Sequence, residues 1–374
     1  MMDADVVVVG VGAMGSMAAW RLAARGARVL AFDQFEPPHD RGSSHGESRI
    51  IRTAYFEGPD YVPLVRRSFA LWRQLEAESG ASLLTMTGDL MIGTRATSVI
   101  TGALASAAAY GLAHEVLDAA EIARRYPQYR LAPGEMAVYE EDAGFLRPED
   151  AVAAAVGRAE ALGATVRRCA PVEGIAVDAT GVEVVAAGRA YHARHVVVSV
   201  GSWLGRLLPG LRLPLQVERQ VVAWFPVDTP DLYTPRRFPV FLWELDGGRR
   251  YYGFPSLDGA TMKMAVHHEG ATVDPDTIDR TIGPGDLEPL YEHIRTRMSG
   301  VVPEAARAQV CMYTNTPDEH FLVGSPPGLP SVTLLGGYSG HGFKFAPVMG
   351  EIAADLALDG GTRHPIGLFA PDRF

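Results

Sequence analysis

The stretch Asp5-Val6-Val7-Val8-Val9-Gly10-Val11-Gly12-Ala13-Met14-Gly15 decides the fold of this 374-residue chain. The four valines predict a buried strand, the glycine spacing predicts a tight turn, and the apolar residues that follow predict a helix. A second strand ends at Asp33, 18 residues after Gly15, where a carboxylate can accept hydrogen bonds from an adenosine ribose. Together these features predict a βαβ unit that binds FAD or NAD rather than NADP.

Composition excludes several classes of protein. With 47% hydrophobic and 21% charged residues, the chain is globular and long enough for two domains. The net charge of -10 disfavours nucleic acid and membrane surfaces as partners, because both reward a basic face. Cys169 and Cys311 form no CxxC pair, so we expect no disulfide framework, no metal site and a cytoplasmic location. The glycine-broken N-terminus is typical of a strand and turn, not of a signal peptide or membrane span.

After Asp33 the chain no longer alternates strands and helices as a nicotinamide dehydrogenase usually does. The polar loop Arg41–Arg49, RGSSHGESR, is dense in hydrogen-bond donors and glycine. Such a loop could lie along a phosphate or along the edge of an isoalloxazine ring, although a solvated connection has a similar composition. Apolar residues three and four apart from Tyr61 to Leu75 then predict an amphipathic helix of the core.

Only two of the 34 basic residues are lysines, Lys263 and Lys344. A compact ammonium whose pKa burial can shift is not replaced by a guanidinium, so both are candidates for chemistry, with compositional drift as the alternative. Strand periodicity places Lys263, Ala265 and His267 on one face and Met262, Met264 and Val266 on the other. Lys344 follows a glycine-rich segment that we expect to lie against a flat group.

Four segments together resemble the family of monomeric sarcosine oxidase and the N-methyltryptophan and pipecolate oxidases, within the D-amino-acid-oxidase-like flavoproteins. They are RGSSHGESRIIR, YYGFPS with the lysine strand, CMYTNTPDEHF and SGHGFKF, in the order that the family shows. The resemblance covers nearly the whole chain. It implies an α/β fold of two domains (α+β), with a Rossmann-like FAD-binding domain interleaved with a substrate domain on a mostly antiparallel sheet. The boundaries we predict are 1–81, 146–211 and 318–374 for the first, and 82–145 and 212–317 for the second.

The resemblance also implies roles for individual residues. FAD would be joined through its 8α-methyl to the sulfur of Cys311, and Lys263 would hold a water beside the flavin and activate oxygen. Arg52 and Lys344 would bind the substrate carboxylate, leaving residual positive charge that favours a neutral amine. The expected catalytic residues are Lys263, His267, Arg49 and Tyr252, and the expected substrate-binding residues are Arg52, Lys344, Tyr313 and Trp243. The expected cofactor-binding residues are Gly10, Gly12, Gly15, Asp33, Arg41, Ser43, Ser44, His45, Arg49, Cys311, Met312, Gly340, His341, Gly342 and Lys344.

The reaction that the resemblance implies is oxidation of an N-methyl amino acid, most simply sarcosine, with O2 as acceptor and a monomeric enzyme. Three alternatives stay open: an oxidase or dehydrogenase for a bulkier or cyclic amine, a flavin-binding protein without turnover, and a nicotinamide dehydrogenase. Trp243 stands where members of the family carry a methionine. It either narrows the pocket, stacks against a larger substrate, or points into the core.

Overall fold

The computed structural model describes residues 2–178 and 180–374. The α-helices are α1 (Ala13–Ala24), α2 (Val62–Ser79), α3 (Ser98–Tyr110), α4 (Ala119–Arg125), α5 (Pro148–Ala161), α6 (Leu204–Leu207), α7 (Pro284–Arg297) and α8 (Ala346–Asp359). The strands of the first half are β1 (Val6–Val9), β2 (Val29–Phe32), β3 (Arg49–Ile51), β4 (Leu84–Met86), β5 (Asp89–Thr94), β6 (Glu115–Asp118), β7 (Glu135–Glu140), β8 (Gly144–Leu146), β9 (Thr165–Arg167) and β10 (Val172–Asp178). The later strands are β11 (Gly181–Ala186), β12 (Arg189–Ala193), β13 (His195–Val198), β14 (Gln216–Pro226), β15 (Val240–Glu244), β16 (Arg250–Phe254), β17 (Thr261–His267), β18 (Arg307–Asn315), β19 (Leu322–Gly324) and β20 (Val332–Gly336).

The N-terminal strand lies inside a parallel sheet whose strand order, within the described ranges, is β19-β20-β13-β1-β2-β9. All its pairs are parallel except β19 with β20. The side chains of β1 are buried on both faces: Val6 and Val8 pack with α1 and α8, and Val7 and Val9 pack with β11. An unbroken apolar run is what such two-sided burial requires. The predicted βαβ opening is therefore confirmed.

A second large sheet has the order β18-β14-β17-β16-β15-β5-β7-β6 in the described part of the chain. Its strands pair antiparallel except β15 with β5, which confirms the mostly antiparallel prediction. The hairpin of β15 and β16 turns at Gly247 and Gly248, whose φ angles of 99° and 88° suit residues without a Cβ. Met262 and Met264 of β17 pack in the core of this sheet while Lys263 lies on the opposite face, as the strand periodicity predicts.

The two large sheets take their strands from alternating segments of the chain. The parallel sheet takes β1, β2, β9, β13, β19 and β20, and the second sheet takes β5 to β7 and β14 to β18. A small sheet of β3, β8 and β4 is built from the segments where the chain passes between them. The division into two domains at the boundaries given above stays a prediction. Over residues 2–178 and 180–374, no helix combines the length and the apolarity that crossing a bilayer requires.

Candidate active site

A cavity of about 500 Å³ begins at the turn after β1 and ends against β16, β17 and β18. Both large sheets therefore contribute to its wall. Most of the residues singled out from the sequence line it, namely Gly10, Gly12, Asp33, Ser43, Ser44, Arg49, Arg52, Tyr252, His267, Cys311, Met312, Tyr313, Gly340, His341, Gly342 and Lys344. Five do not, and each has a separate structural reason: Gly15, Arg41, His45, Trp243 and Lys263.

The first end of the cavity is a glycine turn. Gly10 has a φ of 85°, and a methyl group on Gly15 would stand 1.8 Å from the Gly10 carbonyl oxygen. Gly15 is thus needed for the close approach of α1 to the turn, not for lining the cavity. Asp33, which is 5% exposed, accepts a 2.7 Å hydrogen bond from the backbone N–H of Val11. This arrangement holds the acidic side chain beside the N-terminus of α1.

The polar loop after Asp40 is hydrogen-bonded to helix α1 and to strand β18. Ser44 Oγ accepts a hydrogen bond from Ala13 N–H at 3.2 Å, and Ser43 Oγ donates one to the Met312 carbonyl at 2.6 Å. Arg41 departs from its predicted role, because its side chain is 58% exposed and lies 3.6 Å from Asp40. The loop is therefore a fixed part of the wall, and its first residue points away from it.

Cys311 lies at the second end of the cavity and is 4% exposed. Burial alone raises the pKa of its thiol, but the neighbouring His45 ring, the Arg49 guanidinium and the Met312 N–H outweigh burial and lower the pKa to about 7. Arg49 Nη2 lies 3.9 Å from the sulfur and donates to the Ser43 carbonyl at 2.9 Å. Such a thiol is a thiolate for much of the time at neutral pH, which makes it a nucleophile.

His45 is 2% exposed, and within the described ranges neither of its ring nitrogens has a hydrogen-bond partner of normal geometry. Leaving a buried polar atom unpaired costs about 1 to 3 kcal/mol. The ring lies behind the cavity wall beside the Cys311 thiol, whose pKa it lowers. His45 therefore acts on the cavity through Cys311.

Lys263 is 2% exposed and lies behind the loop rather than on the cavity wall. Its Nζ donates to the carbonyls of Gly46 and Ser48, both at 2.7 Å, and lies 4.1 Å from the centre of the Phe254 ring. Burial and the charge of Arg49 hold the pKa of this amine well below its ordinary value, although Glu149 opposes them. Two of its three hydrogens are thus bound to the loop.

Tyr252, Tyr313 and His267 form one polar cluster on the wall. The hydroxyls of the two tyrosines are 3.5 Å apart, and His267 Nδ1 is 3.3 Å from the Tyr313 hydroxyl. Burial raises the pKa of both tyrosines and lowers the pKa of His267 well below 6.5. The cluster is therefore uncharged at neutral pH, and it can donate or accept hydrogen bonds without adding charge.

Arg52 and Lys344 bring two cations to the same wall, with exposures of 4% and 5%. Lys344 Nζ donates to the His341 carbonyl at 2.9 Å and to the Tyr55 hydroxyl at 3.3 Å. Burial and repulsion by Arg52 lower the pKa of Lys344 to about 7, although nearby carboxylates oppose them. Buried cations that are only partly compensated are suited to a ligand carboxylate.

Two acidic residues that sequence reasoning missed accompany this pair. Glu57 lines the cavity, with its Oε2 3.7 Å from Arg52 Nη2, and Asp89 lies behind it, with its Oδ2 3.9 Å from Arg52 Nε. Neither stands in a recognisable motif, so no pattern pointed to them. They reduce the expected excess of positive charge at this site, because Glu57 and, when ionised, Asp89 offset part of the charge of Arg52 and Lys344.

The glycine-rich segment after β20 packs closely against aromatic rings. A Cβ on Gly340 would lie 2.4 Å from the Tyr313 ring, and one on Gly342 would lie 2.4 Å from the Tyr338 ring. His341 lines the cavity, but its ring is held by the protein: Nδ1 is 2.6 Å from the Tyr55 hydroxyl, and Nε2 is 3.0 Å from the Glu319 carbonyl. Any contact of His341 with a cofactor therefore involves its backbone or its ring face.

Trp243 corrects the prediction that it contacts the substrate. Its side chain is fully buried in the core of the second sheet, where Nε1 donates to Glu135 at 3.1 Å. Its neighbour Leu242 lines the cavity instead. Because side chains alternate along a strand, only one of the two can face the cavity. Of the three alternatives for Trp243, the core position is the one that the structure shows.

A family model described as FAD dependent oxidoreductase matches residues 5–356. The chain belongs to this family. The family resemblance drawn from the sequence is thereby confirmed, and FAD is the cofactor that the family uses.

Among the relatives of this FAD dependent oxidoreductase is the monomeric sarcosine oxidase of Streptomyces avermitilis, which is 44% identical over 99% of this chain and 97% of its own. The N-methyl-L-tryptophan oxidase of Salmonella newport is 34% identical over 100% of both chains. Among solved structures, NikD, an amino acid oxidase essential for nikkomycin biosynthesis, has a TM-score of 0.88 at 28% identity and covers 99% of this chain and 98% of its own.

The residues of the cavity fit FAD. The glycine turn and the N-terminus of α1 offer backbone N–H groups to a pyrophosphate, and the Asp33 carboxylate stands where it would accept hydrogen bonds from the hydroxyl groups of a ribose. The unpaired nitrogens of His45 and the nucleophilic Cys311 lie at the other end. Residues 2–178 and 180–374 contain no group of three or more His, Cys, Asp or Glu side chains that could hold a metal ion.

Proposed function

We propose that this enzyme oxidises sarcosine, with O2 and water, to glycine, formaldehyde and hydrogen peroxide. The observation that carries the proposal is the pair Arg52 and Lys344 on the wall of the same cavity that holds the glycine turn and Cys311. A pair of buried cations binds the carboxylate of an amino acid, and relatives named for sarcosine oxidation match the chain from end to end.

The residues at this end of the cavity orient the amino acid. Its carboxylate replaces Glu57 as the partner of Arg52, because Glu57 approaches Arg52 only to 3.7 Å. The amine then faces the cluster of Tyr252, Tyr313 and His267, which is uncharged at neutral pH. An uncharged acceptor stabilises a neutral amine through a hydrogen bond. The ring of His267 can therefore accept a hydrogen bond from the amine N–H without removing its proton.

When bound, FAD would supply a two-electron acceptor for the amine and, once reduced, an electron donor for O2. Arg49 donates to the Ser43 carbonyl and keeps the loop against Cys311. We propose that Cys311 holds FAD covalently through its sulfur, supported by the lowered thiol pKa. Lys263, with one hydrogen unbound to the loop, is the proposed residue for oxygen activation, since a nearby positive charge stabilises superoxide.

An oxidase of N-methyltryptophan is the second candidate, supported by the relative of that name. The side chain that stands on the wall instead of Trp243 is that of Leu242, which is smaller and leaves more room in the cavity. The lower identity of that relative makes this candidate the weaker one. We also propose that the enzyme is a monomer located in the cytoplasm and that it has the two domains defined above.

The test is anaerobic mixing of the purified holoenzyme with excess sarcosine in a stopped-flow spectrophotometer. We expect rapid bleaching of the flavin band near 450 nm, and peroxide after air is admitted. N-methyltryptophan and pipecolate serve as matched comparisons, because both carry a secondary amine and a carboxylate. If sarcosine leaves the flavin oxidised but either comparison amine reduces it, the substrate is a larger secondary amine and not sarcosine.

A further inference from the structure

Asp89 opens β5 behind the carboxylate-binding end of the cavity. Its side chain is fully buried and, among the residues that the structure describes, neither carboxylate oxygen has a hydrogen-bond partner. Its nearest cation is Arg52, whose Nε is 3.9 Å away and is likewise unpaired in the described structure. Arg52 lines the cavity and Asp89 does not. The guanidinium therefore presents one edge to Asp89 and its Nη2 to Glu57 on the cavity wall.

A second carboxylate stands directly opposite Asp89. The register of β5 and β7 pairs Asp89 with Glu140, which is 1% exposed, and like charges in this position repel each other. Glu140 accepts hydrogen bonds from the N–H groups of Thr53 and Ala54 at 3.0 and 2.9 Å, and from the Thr53 hydroxyl. These donors stabilise the ionised form of Glu140. Among the described residues the oxygens of Asp89 have no donor of normal hydrogen-bond geometry, and the approach of the Leu90 N–H offsets burial only in part, so a proton taken up by the pair resides on Asp89 rather than on Glu140.

The charges around Asp89 agree with this assignment. Burial raises its pKa to about 7; Arg52 and Lys344 oppose the rise, and Glu140 adds to it. The other titratable neighbours are Tyr55 and Tyr129, whose pKa values burial raises well above 10.0, so both stay neutral. Lys344, whose pKa is about 7, also titrates near neutrality. Burial raises the pKa of Glu140 too, although its hydrogen bonds from Thr53 and Ala54 oppose the rise.

We propose that Asp89 controls the charge of the carboxylate site through Arg52: its charge offsets Arg52 and weakens anion binding, and a substrate carboxylate binds together with a proton that Asp89 takes up from water. The proton returns to water when the ligand leaves, so the charge of the buried cluster is restored. The role of Asp89 rests on the proposed function, because it takes Arg52 and Lys344 as the partners of the substrate carboxylate.

The experiment measures the dissociation constant of methoxyacetate from the holoenzyme between about pH 6 and pH 9. Methoxyacetate has the carboxylate and the length of sarcosine, but an ether oxygen replaces the amine, so the ligand neither reacts nor titrates in this range. Binding is followed by the change in flavin absorbance. The wild-type enzyme is compared with Asp89→Asn, which keeps the shape of the side chain and removes its charge.

We expect the ratio of the wild-type constant to the Asp89→Asn constant to be near one at about pH 6 and to rise to about tenfold at about pH 9. At low pH Asp89 is protonated and resembles asparagine, whereas at high pH only the wild type carries the repelling charge. Loss of charge from Lys344 weakens binding in both proteins. Because Asp89 raises the pKa of Lys344, this loss sets in at lower pH in Asp89→Asn and works against the expected rise of the ratio. Glu135→Gln, the same change at a buried acid that bonds Trp243 and Arg297, serves as control, with a ratio near one throughout.

A ratio that does not change with pH, or weaker binding by Asp89→Asn at every pH, would overturn the proposal and leave Asp89 a structural support for Arg52. If Asp89→Asn does not accumulate as folded holoenzyme, Asp89→Val takes its place with the same expectation, because valine removes the charge and both unpaired oxygens and favours a strand. A failure of the proposed function would show in a separate experiment, in which sarcosine does not bleach the flavin of the wild-type enzyme. The binding of methoxyacetate does not depend on that result, because it needs no turnover.

Discussion

The substitution His45→Ala tests why Cys311 is reactive. The thiol pKa is about 7 instead of the ordinary 9.0, so about half of Cys311 is thiolate at pH 7, compared with about one part in a hundred for an ordinary thiol. Without His45, burial is opposed only by Arg49 and by the Met312 N–H. We expect the pKa to rise by about one unit or more, which lowers the thiolate fraction at pH 7 to below about a tenth.

Covalent attachment of FAD should then slow by about fivefold or more at pH 7, and raising the pH by about one unit should restore the wild-type rate. The assay incubates apoprotein from riboflavin-starved cells with FAD, precipitates samples with acid and measures flavin in the pellet. Cys311→Ser should leave no flavin in the pellet, and Cys169→Ser, a change at an exposed thiol, should attach FAD at the wild-type rate. An unchanged rate and pH midpoint in His45→Ala would refute the electrostatic explanation. Slower attachment with an unchanged midpoint would assign His45 to FAD binding instead.

Three further substitutions test other parts of the site. Lys344→Met should raise the KM for sarcosine by about 30-fold, with a smaller change in kcat, because a buried charge partner of the carboxylate is lost; steady-state peroxide formation measures this, and an unchanged KM would remove Lys344 from the carboxylate site. Lys263→Met should slow reoxidation by O2 about tenfold or more while reduction by sarcosine changes little; stopped-flow traces slowed equally in both half-reactions would contradict this role. Trp243→Phe should lower the free energy of unfolding by about 1 to 3 kcal/mol in urea titrations, because Glu135 loses a buried donor, and should leave the KM unchanged; an altered KM at unchanged stability would return Trp243 to the substrate site.

Periodicity predicted those side chains whose strands have two unlike faces. In β17 the methionines face the core and Lys263 faces the other way, so counting by twos was sufficient. In β15 all five residues are buried, and the sequence carries no alternation from which the facing of Trp243 could be read. Position in a motif therefore located this strand beside the cavity, but it did not establish which of two adjacent side chains enters it.

Long-range pairing explains the other omissions. Asp89 follows a glycine at the start of an apolar strand and would be taken for a turn residue, and Glu57 lies in an irregular loop. Their importance depends on Arg52, which lies on a different element, and on Glu140, which faces Asp89 only because β5 pairs with β7. The glycine turn could be predicted because all its parts are local. Charge balance at the carboxylate site could not, since it sums groups from several distant segments.

The strand order of the parallel sheet has a consequence for biosynthesis. β1 is made first, yet β20, two strands away in the same sheet, is made more than 300 residues later, and α8 follows it to cover α1. A growing chain on the ribosome therefore carries the apolar faces of β1 and α1 long before their final neighbours exist. We therefore expect this unit to complete its folding only after β20 and α8 have been synthesised, and a nascent chain that stalls before β20 to expose apolar surface that chaperones bind.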